Sequence, residues 1–377
     1  MSGLYLHIPF CKQACHYCNF HFSTSLRYKP RMVQAIAKEL ELQAALFPFA
    51  GDDLQSVYFG GGTPSLLSQD ELKVLWQAIH QHFKVHADAE ITLEANPDDL
   101  TAEQLDLFRA NGINRLSIGI QSFRDEDLSF MNRAHNAEEA RRCVELARAA
   151  GFDQLSIDLI YGIPGCSDED WQANVQQVID WQVPHISAYS LTVEPGTALD
   201  AFIRKGKATP VDDQKTARQF ELLVDQLNSA GYQHYEISNF ALPGQEAQHN
   251  SSYWTGKPYL GVGPSAHSFD GKNRQWNIAH NAQYMKAIES GSIPYEQEVL
   301  SRQDQFNERI MTGLRTFKGL SMLGLADQFP EFMTAFQKDL VAVKTDGFLE
   351  QDGDLLRLTM AGKLMGDPVI AALFQVE

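Results

Sequence analysis

YLHIPFCKQACHYCNF, residues 5–20, places three cysteines, Cys11, Cys15 and Cys18, directly after the short apolar run Leu4–Ile8. Thiols three and then two residues apart sit on one tight loop, which can aim all three at one compact centre. Thiolates are soft ligands suited to iron–sulfur clusters or zinc. A structural zinc site closes with four ligands, and no fourth cysteine stands nearby; His16 or His21 would have to complete it. A [4Fe–4S] cube on three cysteines instead leaves one iron open to a ligand. Chance clustering and zinc remain the alternatives to the cluster at this point.

Outward from this loop, short apolar runs alternate with longer amphipathic ones. The predicted strands are Leu4–Ile8, Ser56–Phe59, Ile91–Glu94, Arg115–Ile118, Gln154–Ile160 and Ile186–Leu191. Helical spacing covers Lys29–Leu46, Gln69–Phe83, Ala102–Ala110, Ala137–Ala150, Asp168–Trp181 and Asp212–Ala230. Ser68 and Thr101 read as N-caps, and Asn111-Gly112 and Gly151 as stops. Such alternation predicts an α/β fold with a parallel sheet, and six units suit an open, partial (β/α)6 barrel. Cys11, Gly60–Thr63, Glu94, Gln121, Asp158 and Thr192 then fall at or just past the carboxyl ends of successive strands. That edge is where such folds bind their ligands.

The chain has 377 residues, 31 Lys and Arg against 48 Asp and Glu, and a net charge of −17. A surface of that sign argues against nucleic acid, which demands clustered cations. Two of the five cysteines, Cys143 and Cys166, are scattered, so the set does not read as a disulfide framework and suits a reducing compartment. Residues 1–10 lack a signal-peptide pattern and no stretch is long enough to span a membrane. A cytoplasmic location is expected; a weak peripheral membrane contact stays open.

After Asn239 the texture changes. Ala241–Asp270 is rich in Gly, Pro, Asn, Ser and aromatics and is expected to form a long ordered connection, the kind that is usually functional. It carries HNSSYW at 249–254 and GVGPSAHSF at 261–269. From about Tyr295 the pattern is helical, then Phe348–Thr359 alternates around Asp352-Gly353 like a hairpin. A small winged-helix-like module is expected there, net acidic and so poorly suited to DNA. The expected division is 1–240, 241–294 and 295–377.

Gly60-Gly61-Gly62-Thr63-Pro64 follows a strand, where glycines let backbone approach a ligand closely; a merely tight turn is the plain alternative. Glu94 ends a strand and suits an amine or a ribose hydroxyl, or else an ion pair with Arg115 or Arg133, since a buried carboxylate needs a partner. Arg133 alone reads equally as a surface charge. In HNSSYW, His249 offers an imidazole and Trp254 a flat apolar face; by itself, an aromatic-rich loop usually just packs. His267 is a second candidate donor.

CKQACHYC resembles the CxxxCxxC loop of the radical S-adenosylmethionine (SAM) superfamily. The flanking YLHIPFC is similar to the branch that holds oxygen-independent coproporphyrinogen III oxidase and the HemW heme chaperones. That resemblance implies a radical SAM barrel with a [4Fe–4S] cluster on Cys11, Cys15 and Cys18. It implies SAM contacts from Gly61, Gly62, Thr63 and Glu94, with Tyr5 and Tyr17 lining the first SAM, and contacts to a second SAM from Gln121, Arg133, Asp158 and Thr192. HNSSYW resembles the HNxxYW motif of the HemW group, which implies heme contacts at His249, Asn250, Tyr253 and Trp254.

Two departures separate the chain from the oxidase pattern. Phe20 stands where the oxidase carries a fourth cysteine, and only ten residues precede Cys11 where the oxidase has a long extension. The expected function is therefore a heme chaperone that passes heme to an acceptor such as a respiratory cytochrome, with homodimerisation open. The alternative is the oxidase itself, a radical SAM oxidative decarboxylase of porphyrin biosynthesis. A radical SAM enzyme for an unrelated small molecule is a third option.

Overall fold

A computed structural model describes residues 2–46 and 53–375. Six strands run parallel in chain order: β1 Ser2–Ile8, β2 Leu54–Gly61, β3 Val85–Ala95, β4 Arg115–Gln121, β5 Gln154–Tyr161 and β6 His185–Ser190. They read as near-continuous apolar runs because a parallel sheet is covered on both faces. Leu6, Phe59, Leu93, Ile118, Ile157 and Ile186 are fully buried. Helices Lys29–Ala44, Gln69–His82, Ala102–Ala110, Ala137–Ala149, Asp168–Asp180 and Asp213–Ser229 pack around them. Capping boxes at Ser68/Glu71, Asn136/Glu139 and Ser167/Asp170 fix where three of these begin, each satisfying two otherwise unpaired backbone donors.

β1 and β6 do not pair with each other, so the barrel stays open, and both of its edges are extended. Beyond β6 lie β7 Gln233–Glu236 and β8 Asn239–Ala241, antiparallel. Beyond β1 lies β9 Tyr259–Val262, parallel to it, followed by an antiparallel run of β10 His267–Phe269, β11 Asn273–Asn277 and β12 Tyr295–Val299. The expected connection over Ala241–Asp270 is thus half sheet and helix. Its strands are three or four residues long, too short for a period-two pattern to register. The expected helical start at Tyr295 is an edge strand whose five residues are all exposed. Its two glutamates, Glu296 and Glu298, are charges of the kind that blunt an open edge.

Residues from 302 onward build a second core. Helix Arg302–Leu314 is followed by β13 Leu320–Ser321, helices Met322–Gln328 and Met333–Thr345, and the hairpin β14 Leu349–Asp352 and β15 Leu355–Leu358. Phe306, Ile310, Leu325, Phe329, Phe336 and Leu356 fill its centre. The order of helices, small sheet and hairpin is winged-helix-like. It is attached along β7 and the turn after it, where Ile237 N–H donates to Arg315 O at 3.2 Å and Phe317 N–H to Tyr235 O at 3.0 Å, and by the ion pair of Arg274 on β11 with Glu308.

Candidate functional site

β1 delivers its chain into the cysteine loop, and β2 delivers the glycine turn against it. Gly62 N–H donates to Ile8 O (2.9 Å) and Thr63 N–H to Phe10 O (2.7 Å). A side chain at Gly62 would lie 2.7 Å from both Ile8 O and Phe10 O, and Gly61 adopts φ +104°. Only glycine satisfies both demands. The spacing of GGGT is therefore what lets the second loop lie on the first.

Cys11, Cys15 and Cys18 line one cavity of about 550 Å³ at the carboxyl edge of the sheet. Tyr17, Gly61, Gly62, Thr63, Glu94, Gln121, Arg133, Asp158 and Thr192 line it as well. Tyr5 does not reach it. Its ring faces a smaller inner cavity of about 230 Å³ in the barrel bore, which Glu94 and Asp158 also border. Asn96, Ser117 and Tyr189 line the larger cavity without having been singled out from the sequence. Asn96 lies two residues past Glu94, on the next alternation of the same strand end, and that spacing was the available signal.

Glu94 accepts from Tyr58 Oη (2.8 Å) and from Gly61 N–H (3.0 Å). Neither Arg115 nor Arg133 is its partner; Arg115 lies 3.7 Å from Glu90 instead. Burial pushes the Glu94 carboxyl up to about 7, against the opposing pull of the Tyr58 hydrogen bond. Burial likewise raises Asp158 to about 6. Two carboxyls held short of full ionisation near neutrality are ready to accept hydrogen bonds from a cation that restores their charge.

Arg133 is no surface charge. It donates to Cys15 Sγ (3.2 Å), Asn96 Oδ1 (2.7 Å) and Gly119 O (2.7 Å), while its Nε is buried with no partner. Nearby Gln121 takes φ +71°, an uncommon conformation for a residue with a side chain. Strain of this kind concentrates at binding sites.

Three cysteines suggest two metal centres, a zinc ion or an iron–sulfur cluster. His16 and His21 do not line the cavity that the three thiols share; His16 Nδ1 contacts Phe130 O (2.9 Å) and His21 Nε2 contacts Asn281 Oδ1 (2.7 Å). Among the described residues no three His, Cys, Asp or Glu side chains converge tightly enough for a single ion. Three thiols that share a cavity yet do not crowd one point suit a polynuclear cluster. Burial and the neighbouring Cys18 and Cys15 hold the Cys11 thiol up at about 11, so metal loading would expel protons. Phe20, 71 % exposed, stands at the cavity mouth.

HNSSYW forms the helix Gln248–Trp254, at the opposite end of the bore. His249 is buried, with Nδ1 2.8 Å from Ser56 Oγ and Nε2 2.9 Å from Tyr253 Oη. Its ring stacks on Tyr58 at 5.0 Å. Burial lowers its pKa to about 3, so it is neutral at physiological pH. Asn250 contacts Tyr235 Oη at 3.3 Å. His249, Asn250 and Tyr253 all border the 230 Å³ inner cavity. Trp254 faces the other way, into a groove of about 680 Å³ beside the C-terminal module. His267 is exposed and stacks on Trp276.

A family profile described as the radical SAM superfamily matches residues 5–178, and one for the HemN C-terminal domain matches 300–365. The chain is 37% identical to the heme chaperone HemW of Mycobacterium tuberculosis, over 98% of this chain and 94% of that one. It is 33% identical to the heme chaperone HemW of Bacillus subtilis, over 99% of each. Among solved structures it is similar to the coproporphyrinogen III oxidase HemN of Escherichia coli, a radical SAM enzyme. That match has a TM-score of 0.85 at 25% identity, over 99% of this chain and 90% of that one.

Proposed function

Because the chain belongs to the HemW heme chaperone family of radical SAM proteins, we propose that it binds heme and passes it to a heme-accepting protein such as a respiratory cytochrome. The observation that carries this reading is similarity to heme chaperones along nearly the whole chain, HNSSYW helix and C-terminal module included.

In this proposal Cys11, Cys15 and Cys18 hold a [4Fe–4S] cluster whose open iron takes SAM. Glu94, Asp158 and Thr63 receive the polar and cationic parts of SAM, and Arg133 takes its carboxylate. Tyr17, Gln121 and Thr192 close the walls, and Tyr5 supports them from below. When reduced, such a cluster supplies an electron to the SAM sulfonium; the chain's own part is to orient and shield. His249, Asn250, Tyr253 and Trp254 form the heme-contacting helix. Ligation of iron by His249 would first require the Tyr253 hydroxyl to leave Nε2. The division 1–240, 241–294 and 295–377 serves in this proposal as barrel, heme-motif segment and docking module, except that β12 Tyr295–Val299 pairs into the barrel's extended sheet and the module proper starts at Arg302. Cluster and SAM serve pairing of two copies or control of transfer. No described helix is long and apolar enough to cross a membrane; the site of action in this proposal is cytoplasmic, and the net charge of −17 allows at most a weak peripheral contact with an anionic membrane.

The second reading is coproporphyrinogen III oxidation, favoured by the match to HemN and by nine nominated SAM residues gathered in one cavity. Phe20 in place of a fourth cysteine disfavours it. Anaerobically reconstituted protein should shift the Soret band of hemin and deliver it to an apo-acceptor, without converting coproporphyrinogen III in the presence of SAM and reductant. Decarboxylated product, or an unchanged hemin spectrum, would reverse the choice.

A further inference from the structure

Resting on the heme-chaperone reading, we propose that heme docks in the groove between the HNSSYW helix and the C-terminal module, its macrocycle against Trp254 and Phe317 and its propionates on Lys257, Arg309 and Lys318.

Size first separates the candidate places. The inner cavity that His249, Asn250 and Tyr253 border holds about 230 Å³, below the roughly 300–1,000 Å³ of ordinary ligand pockets. A tetrapyrrole does not fit there. The 550 Å³ cavity is lined by the three cysteines and the SAM candidates and is already committed. The groove holds about 680 Å³. A further depression on the outer helices, by Trp76 and His80, is larger at about 850 Å³, but Lys73 is its one lining cation, so charge rather than size sets it aside.

Charge singles out the groove a second time. On a chain with 31 basic against 48 acidic residues, its lining reverses the balance: Lys257, Arg309 and Lys318 against Glu246 alone. Among the described residues these three cations form no ion pair, whereas Arg302 and Arg315 in the same module do. Unpaired, exposed cations at the rim of an apolar slot suit a planar apolar dianion. Phe317 is 44 % exposed, a large ring left in water beside Trp254, whose Nε1 is buried without a partner. The Arg315 guanidinium backs the Trp254 ring at 5.4 Å. Iron protoporphyrin matches this set: two aromatic faces for the ring and cations for its two carboxylates.

The groove lining contains no His, Cys or Met, and its Tyr235 hydroxyl lies 2.7 Å from His185 Nε2. Docking is therefore by face and carboxylate and needs no bond to iron. A carrier that must give its cargo away gains from that, because release then breaks no coordinate bond.

The test is a titration of the full-length reconstituted protein with hemin, metal-free protoporphyrin IX and protoporphyrin IX dimethyl ester. Hemin and metal-free protoporphyrin should bind within a few-fold of each other, and the dimethyl ester about ten-fold or more weaker, as loss of charged hydrogen bonds implies. Arg309→Glu and Lys318→Glu should each weaken hemin about ten-fold, and Phe317→Ser similarly. Lys338→Glu, exposed in the same module outside the groove, should leave binding unchanged. Circular dichroism checks that each variant is folded. Equal affinity of wild type and all three groove variants for hemin, or failure of the metal-free ring to bind, overturns groove docking while leaving a heme carrier intact. If wild type binds no hemin at all, the heme-chaperone reading falls and takes this one with it.

Discussion

The Arg133 guanidinium donates to the Cys15 sulfur at 3.2 Å and, through its other terminal nitrogen, to Asn96 Oδ1 at 2.7 Å. One side chain from the segment after β4 thus joins the cysteine loop to the end of β3. Proximity of Tyr17 and Cys15 favours the charged form and offsets the cost of burying the guanidinium.

Arg133→Lys keeps the charge but loses the fork, and planar bidentate geometry is what separates the two side chains. SAM affinity, followed by its effect on the spectrum of the reduced cluster, should fall about ten-fold. The cluster should also bleach faster under a chelator. Wild-type behaviour in both assays would mean that Arg133 only packs the loop.

Each of Cys11→Ser, Cys15→Ser and Cys18→Ser should yield a folded protein that retains little iron and sulfide after anaerobic reconstitution. Folding survives because the thiols border a cavity rather than the apolar core, which is filled by residues such as Leu6, Phe59 and Ile118. Cys143→Ser and Cys166→Ser, by contrast, should leave iron content unchanged, since both side chains sit in the core. Iron retained at wild-type level in all three loop variants would refute the cluster assignment.

The barrel was legible in the sequence because its strands are covered on both faces and its helices carry N-caps, so periodicity and punctuation agree, as at Ser68 and Thr101. Among the site residues, Glu94 and Asp158 were placed by their position in the carboxyl half of a strand, and their ligand roles came from the resemblance; Asp158 in fact lies three residues short of the end of β5. The strands β7 to β12 were not legible. They are short, and β12 has no buried face to impose a pattern. Nor could the sequence reveal which way the HNSSYW helix turns. Three bulky side chains within six residues share a helix of two turns, and tertiary packing of His249 against Tyr58 chose the inward face.

Glu94→Gln should separate two opposed effects of pH. In the wild type the folded-state pKa, about 7, lies above the ordinary glutamate value of about 4.3. A raised carboxyl contributes stability that is full below pH 4.3 and is lost as pH climbs through 7. Without ligand, Glu94→Gln should therefore match wild type near pH 4.5 and become the more stable of the two above pH 7. SAM brings cationic groups that favour the ionised carboxylate, so its binding to wild type should strengthen from pH 5.5 to 8 with proton release. In Glu94→Gln this component of the pH dependence should vanish. A stability difference from wild type that stays constant with pH would show that Glu94 keeps an ordinary pKa.

His249 is a strut of the bore whatever its contact with heme, and that is measurable with no heme present. Truncation to Ala would strip the partners from Ser56 Oγ and Tyr253 Oη and open space beside Tyr58. Loss of buried side-chain volume and orphaned hydroxyls together cost about 2–4 kcal/mol, which should appear as a lower urea midpoint for heme-free His249→Ala. The sign of its pH dependence follows from burial, which lowers the folded pKa from the ordinary histidine value of about 6.5 to about 3. The unfolded chain protonates first, so the neutral ring stabilises fully above pH 6.5 and progressively less as pH falls toward 3. The gap between wild type and His249→Ala should accordingly narrow over that interval. A heme-free variant as stable as wild type at pH 8 would make His249 dispensable to the fold, and any loss of heme binding on its removal would then be attributable to the imidazole itself.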